Sequence, residues 1–266
     1  MRQAAFANTL ARVPRGPMVA PFARALSLLA AFTPQERWLG NRQLSERAHL
    51  PPSTTARIAH CLVDLGYLHY DVRDRKYRLA AYVLALGYGA LAEVGVQGAA
   101  RAPMQEFADS KQIQVSLSSR ERLDMVVVER CGTTGVTQYA GPQVGSRLDM
   151  ASSTLGCAYL AALPEAERYY LMEQVERSTK GDWARMRRRI GEAIAQVKDL
   201  GYCASMGESR DDFTVVATPV LMDGRAPFVL AASGPAWQVT RARFQQDLGP
   251  RLRATAETIA QRGAVA

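Results

Sequence analysis

Two adjacent prolines, Pro51 and Pro52, constrain the first third of this chain more than any other feature. A residue before proline avoids the α region, so no helix passes through Leu50-Pro51-Pro52 and the chain must turn there. The hydrophobic spacing on either side is helical. Before the prolines, Asn41–Ala48 places Leu44 and Ala48 inward, with Asn41 expected as N-cap. After them, a helix is expected to open at Ser53 as N-cap and run to about Leu65, with Ile58, Leu62 and Leu65 inward. Gly66 is placed to end it in a left-handed cap. A still earlier stripe, Phe22, Leu26, Leu29 and Ala30 within Phe22–Phe32, predicts a first helix. Two β-prone runs, Tyr67–Tyr70 and Lys76–Leu79, flank the charged stretch Asp71-Val72-Arg73-Asp74-Arg75 and predict a hairpin with a basic tip. Three helices broken by a tight turn, then a hairpin, make a winged helix-turn-helix.

Charge agrees with that reading. The 266 residues carry 33 Lys and Arg against 25 Asp and Glu, a net of +8. Residues 1–80 hold 12 basic and 5 acidic side chains, whereas residues 81–266 hold 21 and 20. The excess therefore sits at one end, which points to a polyanionic partner for that part alone. The outward face expected for the third helix is Ser53, Thr54, Thr55, Arg57 and His60. Short hydroxyls and a guanidinium suit base edges and phosphates of duplex DNA. Arg42 on the helix before it, and Arg73, Arg75 and Lys76 at the hairpin tip, are the other candidate DNA contacts.

What the chain lacks excludes other chemistry. Its histidines are His49, His60 and His69, so residues 70–266 contain none. A His-based triad or a His-ligated metal is thereby removed from the larger part. Cys61, Cys131, Cys157 and Cys203 form no CxxC pair, which argues against a zinc ribbon and a disulfide framework and fits a reducing cytoplasm. No apolar run reaches the roughly 18–20 residues needed to cross a bilayer, so no membrane role is expected. No catalytic residue, metal or cofactor is expected.

The division expected is a flexible basic arm at 1–20, a DNA-binding domain at 21–80, a linker and dimerisation helix at 81–100, and a second domain at 101–266. The connector carries Tyr82, Leu84, Leu86, Tyr88, Leu91 and Val94 on more than one side, which calls for more than one packing partner. In the second domain, Ile113, Val115 and Leu117 alternate with Gln112, Gln114, Ser116 and Ser118, predicting a strand with one solvated face. Further strands are expected at Met125–Val128, Val136–Tyr139, Thr214–Leu221 and Pro227–Ala232. Helical stripes run through Trp183, Met186, Ile190, Ile194, Val197 and Leu200, and through Phe244, Leu248, Leu252 and Ile259. Grouped strands with helices packed to one side suggest an α+β sensor-type domain.

Several strings in order resemble the IclR family of bacterial transcription regulators over residues 21–262. In the first domain they are Arg24–Leu29, Leu50-Pro51-Pro52-Ser53-Thr54, Leu65-Gly66-Tyr67, Lys76–Leu79 and Leu84–Gly87. In the second they are Val144–Leu148, Leu155–Ala161, Leu200-Gly201-Tyr202, Val216–Val220 and Ala232–Pro235. The resemblance implies an α+β protein: a winged helix-turn-helix, a linker helix, and an effector-binding domain of GAF- or profilin-like type. It also implies a homodimer or tetramer on double-stranded operator DNA that responds to a small carboxylate and controls catabolic genes. Carried over by position, the effector pocket involves Ser153, Thr154, Ser205, Val215 and Ser233. Hydroxyls beside a helix N-terminus suit an anion. The chain departs from the family pattern at Asp149, Cys157, Val215 and Ser205, where proline, a basic residue, cysteine and an acid are usual. A less polar pocket, suited to an aromatic or larger carboxylate, is expected from those changes. Two other readings are weighed against this one: a cysteine-dependent enzyme, and a winged helix used for protein contacts.

Overall fold

The computed structural model describes residues 20–33, 36–87, 96–133, 141–179, 182–205, 213–236 and 241–265. Residues 1–19 of the expected arm, Tyr88, Leu91 and Val94 of the connector, and the strand expected at Val136–Tyr139 lie outside them. Two compact units emerge, Met1–Glu93 and Val94–Ala266.

The first unit contains α1 (Ala20–Leu29), β1 (Leu39–Gly40), α2 (Asn41–Ala48), α3 (Pro52–Asp64), β2 (Leu68–Asp71) and β3 (Lys76–Leu79). The strands form an antiparallel sheet in the order β1-β3-β2, with Asp71 opposite Lys76 at the hairpin tip. Leu28, Leu39, Leu44, Ala59, Leu62, Leu68 and Tyr77 make its core. Four local expectations are corrected. Gly40, not Asn41, precedes α2, because the Gln43 side chain reaches back to accept from its N–H at 2.9 Å. The helix α3 starts at Pro52 rather than Ser53, since proline suits a first helical position where no N–H is required. Phe22 and Leu26 are 72% and 64% exposed, and α1 packs through Ala25, Leu28 and Leu29 instead. Leu65, expected inward, is exposed. The end of α3 follows expectation: Gly66 has φ +78°, Tyr67 N–H donates to the Leu62 carbonyl and Gly66 N–H to that of Val63. Beyond the hairpin, residues 83–87 are helical.

The second unit contains α4 (Gln97–Lys111), β4 (Gln114–Glu121), β5 (Asp124–Cys131), β6 (Arg147–Asp149), α5 (Thr154–Ala162), α6 (Glu165–Ser178), α7 (Trp183–Leu200), β7 (Cys203–Ser205), β8 (Phe213–Val220) and β9 (Phe228–Pro235). It ends in α8 (Arg241–Arg243), which passes through a π-helical turn (Phe244–Leu248) into α9 (Gly249–Val265). Six antiparallel strands form one sheet in the order β6-β5-β4-β9-β8-β7.

Helices cover both faces of this sheet, which corrects the expectation that they pack to one side. On one face, Met104, Phe107, Leu248, Leu252 and Ile259 meet Val115, Leu117, Val216 and Leu230. On the other, Leu155, Tyr159, Leu160 and Ile190 meet Met125, Ala217, Val229 and Ala231. Two covers make β4 a central strand with both faces buried, so Gln114, Ser116 and Ser118 are interior rather than solvated. The α5 layer sits close because of Gly156, where a Cβ would lie 2.1 Å from the Met150 carbonyl oxygen.

Candidate functional site

The exposed face of α3 is set by its helical period. Ser53, Arg57, His60, Cys61 and Asp64 are exposed, Thr54 is half-buried, and Ala59 and Leu62 face the core. Thr55 lies with the core residues at 0% exposure, and its Oγ1 has no hydrogen-bond partner. It is therefore corrected from the candidate contact face. One step of helical phase separates it from Thr54. His60 is edge-on to Tyr70 and Tyr77, with ring centroids 5.7 and 6.1 Å away, so one side of its ring rests on the hairpin. Cys61 and Asp64 were not singled out from the sequence, although their spacing from Arg57 puts them on the same face.

The hairpin tip is braced from within. The Asp71 carboxylate accepts from the backbone N–H of Arg73 at 2.8 Å and of Asp74 at 3.3 Å. Arg75 closes the turn with φ +51°, a left-handed conformation unusual for a residue with a long side chain. Arg73, Arg75 and Lys76 are all exposed. Arg42 on α2 is exposed and paired with Glu46 at 2.9 Å. Such a surface pair contributes little and leaves the cation available to a stronger partner. Arg78 lies over the Trp38 ring at 5.4 Å, a contact the sequence reading missed.

The second candidate site is read from sheet register. Ser205 pairs with Val215, Val215 with Ser233, and Ser233 with Gln114. These four form one row across β7, β8, β9 and β4. Side chains alternate along a strand, so the row shares its face with Cys203, Ala217 and Ala231, the α5 side of the sheet. The next row on that face runs through Ala217, Ala231, Ser116 and Arg130. Three expected residues, far apart in sequence, are thus brought together. Ser153 is the N-cap of α5, its Oγ accepting from Gly156 N–H at 3.1 Å, and Thr154 is buried. The Cys203 thiol approaches the Thr154 carbonyl at 3.9 Å, which ties the start of α5 to the same face. Gln114, Ser116, Ser118 and Arg130 were not among the expected site residues. The signal for the first three is their alternation with Val115 and Leu117, which by itself reads as a strand with one solvated face.

Known proteins agree with this two-part geometry. The model described as "IclR helix-turn-helix domain" matches residues 22–72, and "Bacterial transcriptional regulator IclR C-terminal" matches residues 88–261. The chain belongs to the IclR family. An HTH-type transcriptional regulator of Comamonas testosteroni, TsaQ1/TsaQ2, is 30% identical over 244 residues, covering 91% of this chain and 87% of that protein. The crystal structure of an IclR-family transcriptional regulator from Brucella abortus is 34% identical, with TM-score 0.68, covering 91% of this chain and 92% of that one. An IclR homolog from Microbacterium hydrocarbonoxydans, crystallised with 4-hydroxybenzoate, has TM-score 0.71 at 22% identity and shares the fold, covering 92% and 100%.

As an IclR-family member the protein is a transcription regulator with a helix-turn-helix DNA-binding domain and a C-terminal effector domain, not an enzyme. The chemistry of its thiols is consistent. Burial pushes the Cys157 thiol up to about 11, and burial likewise raises Cys203 and Cys131. None of the three supplies a thiolate near neutral pH. In this regulator the guanidinium of Arg189 on α7 reaches the sheet row, Nη2 donating to Ser205 Oγ at 3.1 Å. No described helix is long and apolar enough to cross a membrane.

Proposed function

We propose that this regulator grips operator DNA with the exposed face of α3, and that its C-terminal domain binds an aromatic or larger organic carboxylate that alters that grip. Ser53, Thr54 and Arg57 face the bases, while Arg42, Arg73, Arg75 and Lys76 contact phosphates. The effector lies on the Ser205–Val215–Ser233 row beside Ser153 and Thr154. The observation that carries the reading is the coincidence of the charge excess in residues 1–80 with the exposed polar face of α3 in that unit. The 4-hydroxybenzoate complex of a protein of the same fold supports an aromatic acid.

In this reading residues 21–80 are the DNA-binding domain, 81–100 the linker and 101–266 the effector domain, working in the cytoplasm. A homodimer is the working form. Exposed Phe22 and Leu26 on α1, and exposed Tyr82, Leu84 and Leu86, offer apolar surface for a second copy. Two copies place two α3 helices about one helical turn of DNA apart. A ligand that favours one dimer geometry then changes affinity by its differential binding to the two.

The test has two arms. Selection from random duplexes yields an operator, and its affinity is titrated against salt; neutralising several phosphates predicts a steep negative slope. Thermal-shift measurements with benzoate, 4-hydroxybenzoate, pyruvate and glyoxylate then identify the acid class, because a ligand of the native state raises Tm. A flat salt response removes DNA as partner.

A further inference from the structure

Arg130 on β5 pairs across the sheet with Ser116 on β4 and shares the effector face. Its guanidinium is held in place by neutral groups. Nη1 donates to Oε1 of Gln143 at 2.5 Å and Nη2 to Oε1 of Gln114 at 3.0 Å. Gln114 is 3% exposed and is fixed in turn, its Nε2 donating to the Pro142 carbonyl at 3.2 Å. Gly141 makes room for that amide, since a Cβ there would come within 2.6 Å of Oε1.

Among the described residues no carboxylate pairs with Arg130. The adjacent Glu129 turns to the opposite face, where it meets Arg101 at 3.2 Å. The Nε of Arg130 is buried and has no hydrogen-bond partner. Burial lowers the guanidinium's affinity for its proton. On the same face Ser118 is at 0% exposure with its Oγ likewise unpartnered. Buried polar groups without partners are rare and costly, and a bound molecule is one way to complete them.

We propose that Arg130 anchors the anionic end of the effector. The carboxylate sits on the guanidinium, which two glutamines hold in orientation, and the body of the ligand extends along the Gln114–Ser233–Val215–Ser205 row. Arginine's planar fork binds a carboxylate in two places at once when its orientation is fixed. The row crosses three strand spacings, about 14 Å, which suits a ring-bearing acid better than a two-carbon one. This inference rests on the carboxylate reading of the effector domain and adds the residue that recognises the charge.

The experiment uses the full chain, with benzoate, 4-hydroxybenzoate and their uncharged amides, benzamide and 4-hydroxybenzamide, as probes in thermal-shift and calorimetric titrations. At least one acid is expected to raise the Tm of the unaltered protein while its amide does not. Arg130→Gln is expected to bind that acid roughly 10- to 100-fold more weakly, the loss of a charge-assisted hydrogen bond. Arg130→Lys, which keeps the charge without the fork, is expected to fall between the two. Equal binding of the acid by Arg130→Gln and the unaltered protein overturns the anchor and leaves the carboxylate reading standing. Equal binding of acid and amide overturns the anchor and the carboxylate reading together. If no acid shifts the unaltered protein, both fall. Should Arg130→Gln not fold, Arg130→Lys and the acid-to-amide comparison decide.

Discussion

Ser233 on β9 stands directly opposite Val215 on β8, and both side chains turn to the face that meets the start of α5. The two residues are half-buried, so neither side chain is closed into the core. Ser233→Leu places an apolar branch over the row. The expected outcome is loss of the Tm rise caused by the bound acid, with operator affinity without ligand unchanged. A variant that still responds to the acid moves the effector away from this row.

Thr55 and Arg57 separate packing from recognition on one helix. The Thr55 hydroxyl is fully buried and bonds to nothing, so it contributes a desolvation cost and no contact. Thr55→Val keeps the shape and removes the cost. We expect stability to rise by about 1 kcal/mol, read as a higher Tm, with operator affinity unaltered. Arg57→Ala, by contrast, is expected to leave Tm alone and weaken operator binding by about 1–3 kcal/mol, relaxing preference at the base it reads. Competition binding on single-base variants of the operator checks both.

The hairpin tip permits a cleaner electrostatic test. Arg75 keeps a left-handed backbone, where glycine is at ease and a long side chain is not. Strain relieved by Arg75→Gly is offset by the greater freedom of glycine in the unfolded chain, so stability is expected to change by less than about 1 kcal/mol. If the side chain neutralises a phosphate, the slope of log affinity against log salt falls by about 0.9. An unchanged slope shows that the wing tip does not touch the backbone of DNA.

The parts of this architecture that were legible in the sequence are those governed by local sterics. Pro51 and Pro52 fix the turn between α2 and α3, and Gly66 ends α3 at a φ of +78°. What failed were decisions of phase and cover. Apolar residues lie on two sides of α1, so periodicity alone does not say that Leu28 goes in and Leu26 out. Gln114, Ser116 and Ser118 alternate as a solvated strand would, and the helix layer that buries them comes from residues 154–200, far along the chain. The pairing of Ser205 with Val215 and of Ser233 with Gln114 is a matter of register between distant strands, which local spacing does not encode. Arg130 is illegible in the sequence for the same reason: that Ser116 and not an acid stands opposite it is a property of the sheet and not of its neighbours in sequence.

A close approach in the effector domain offers a stability prediction. Gly156 lies in the first turn of α5 with the Met150 backbone where its Cβ would be. Backbone does not yield as a flexible side chain does, so Gly156→Ala must push α5 outward from the sheet. Forced overpacking of this kind is expected to cost about 1–3 kcal/mol despite the better helix propensity of alanine. Chemical denaturation of the full chain measures it, and an unchanged midpoint contradicts the packing described.

The four cysteines give a test that reads both units at once. Cys61 is exposed on α3, whereas Cys131, Cys157 and Cys203 are buried. Burial disfavours the thiolate, so the folded protein holds these three thiols protonated at pH values where an unhindered thiol has begun to ionise; Cys157 stays so until about pH 11. At pH 8 a chromogenic disulfide reagent is therefore expected to modify one thiol per native chain quickly, and four after denaturation. Cys61→Ser removes the fast phase. Because Cys61 shares the exposed face of α3 with Arg57, operator DNA is expected to slow its modification by at least about tenfold if the dissociation constant is exceeded by that factor. Equal rates with and without DNA place the duplex elsewhere, and fast reaction of more than one native thiol contradicts the burial of the effector-domain cysteines.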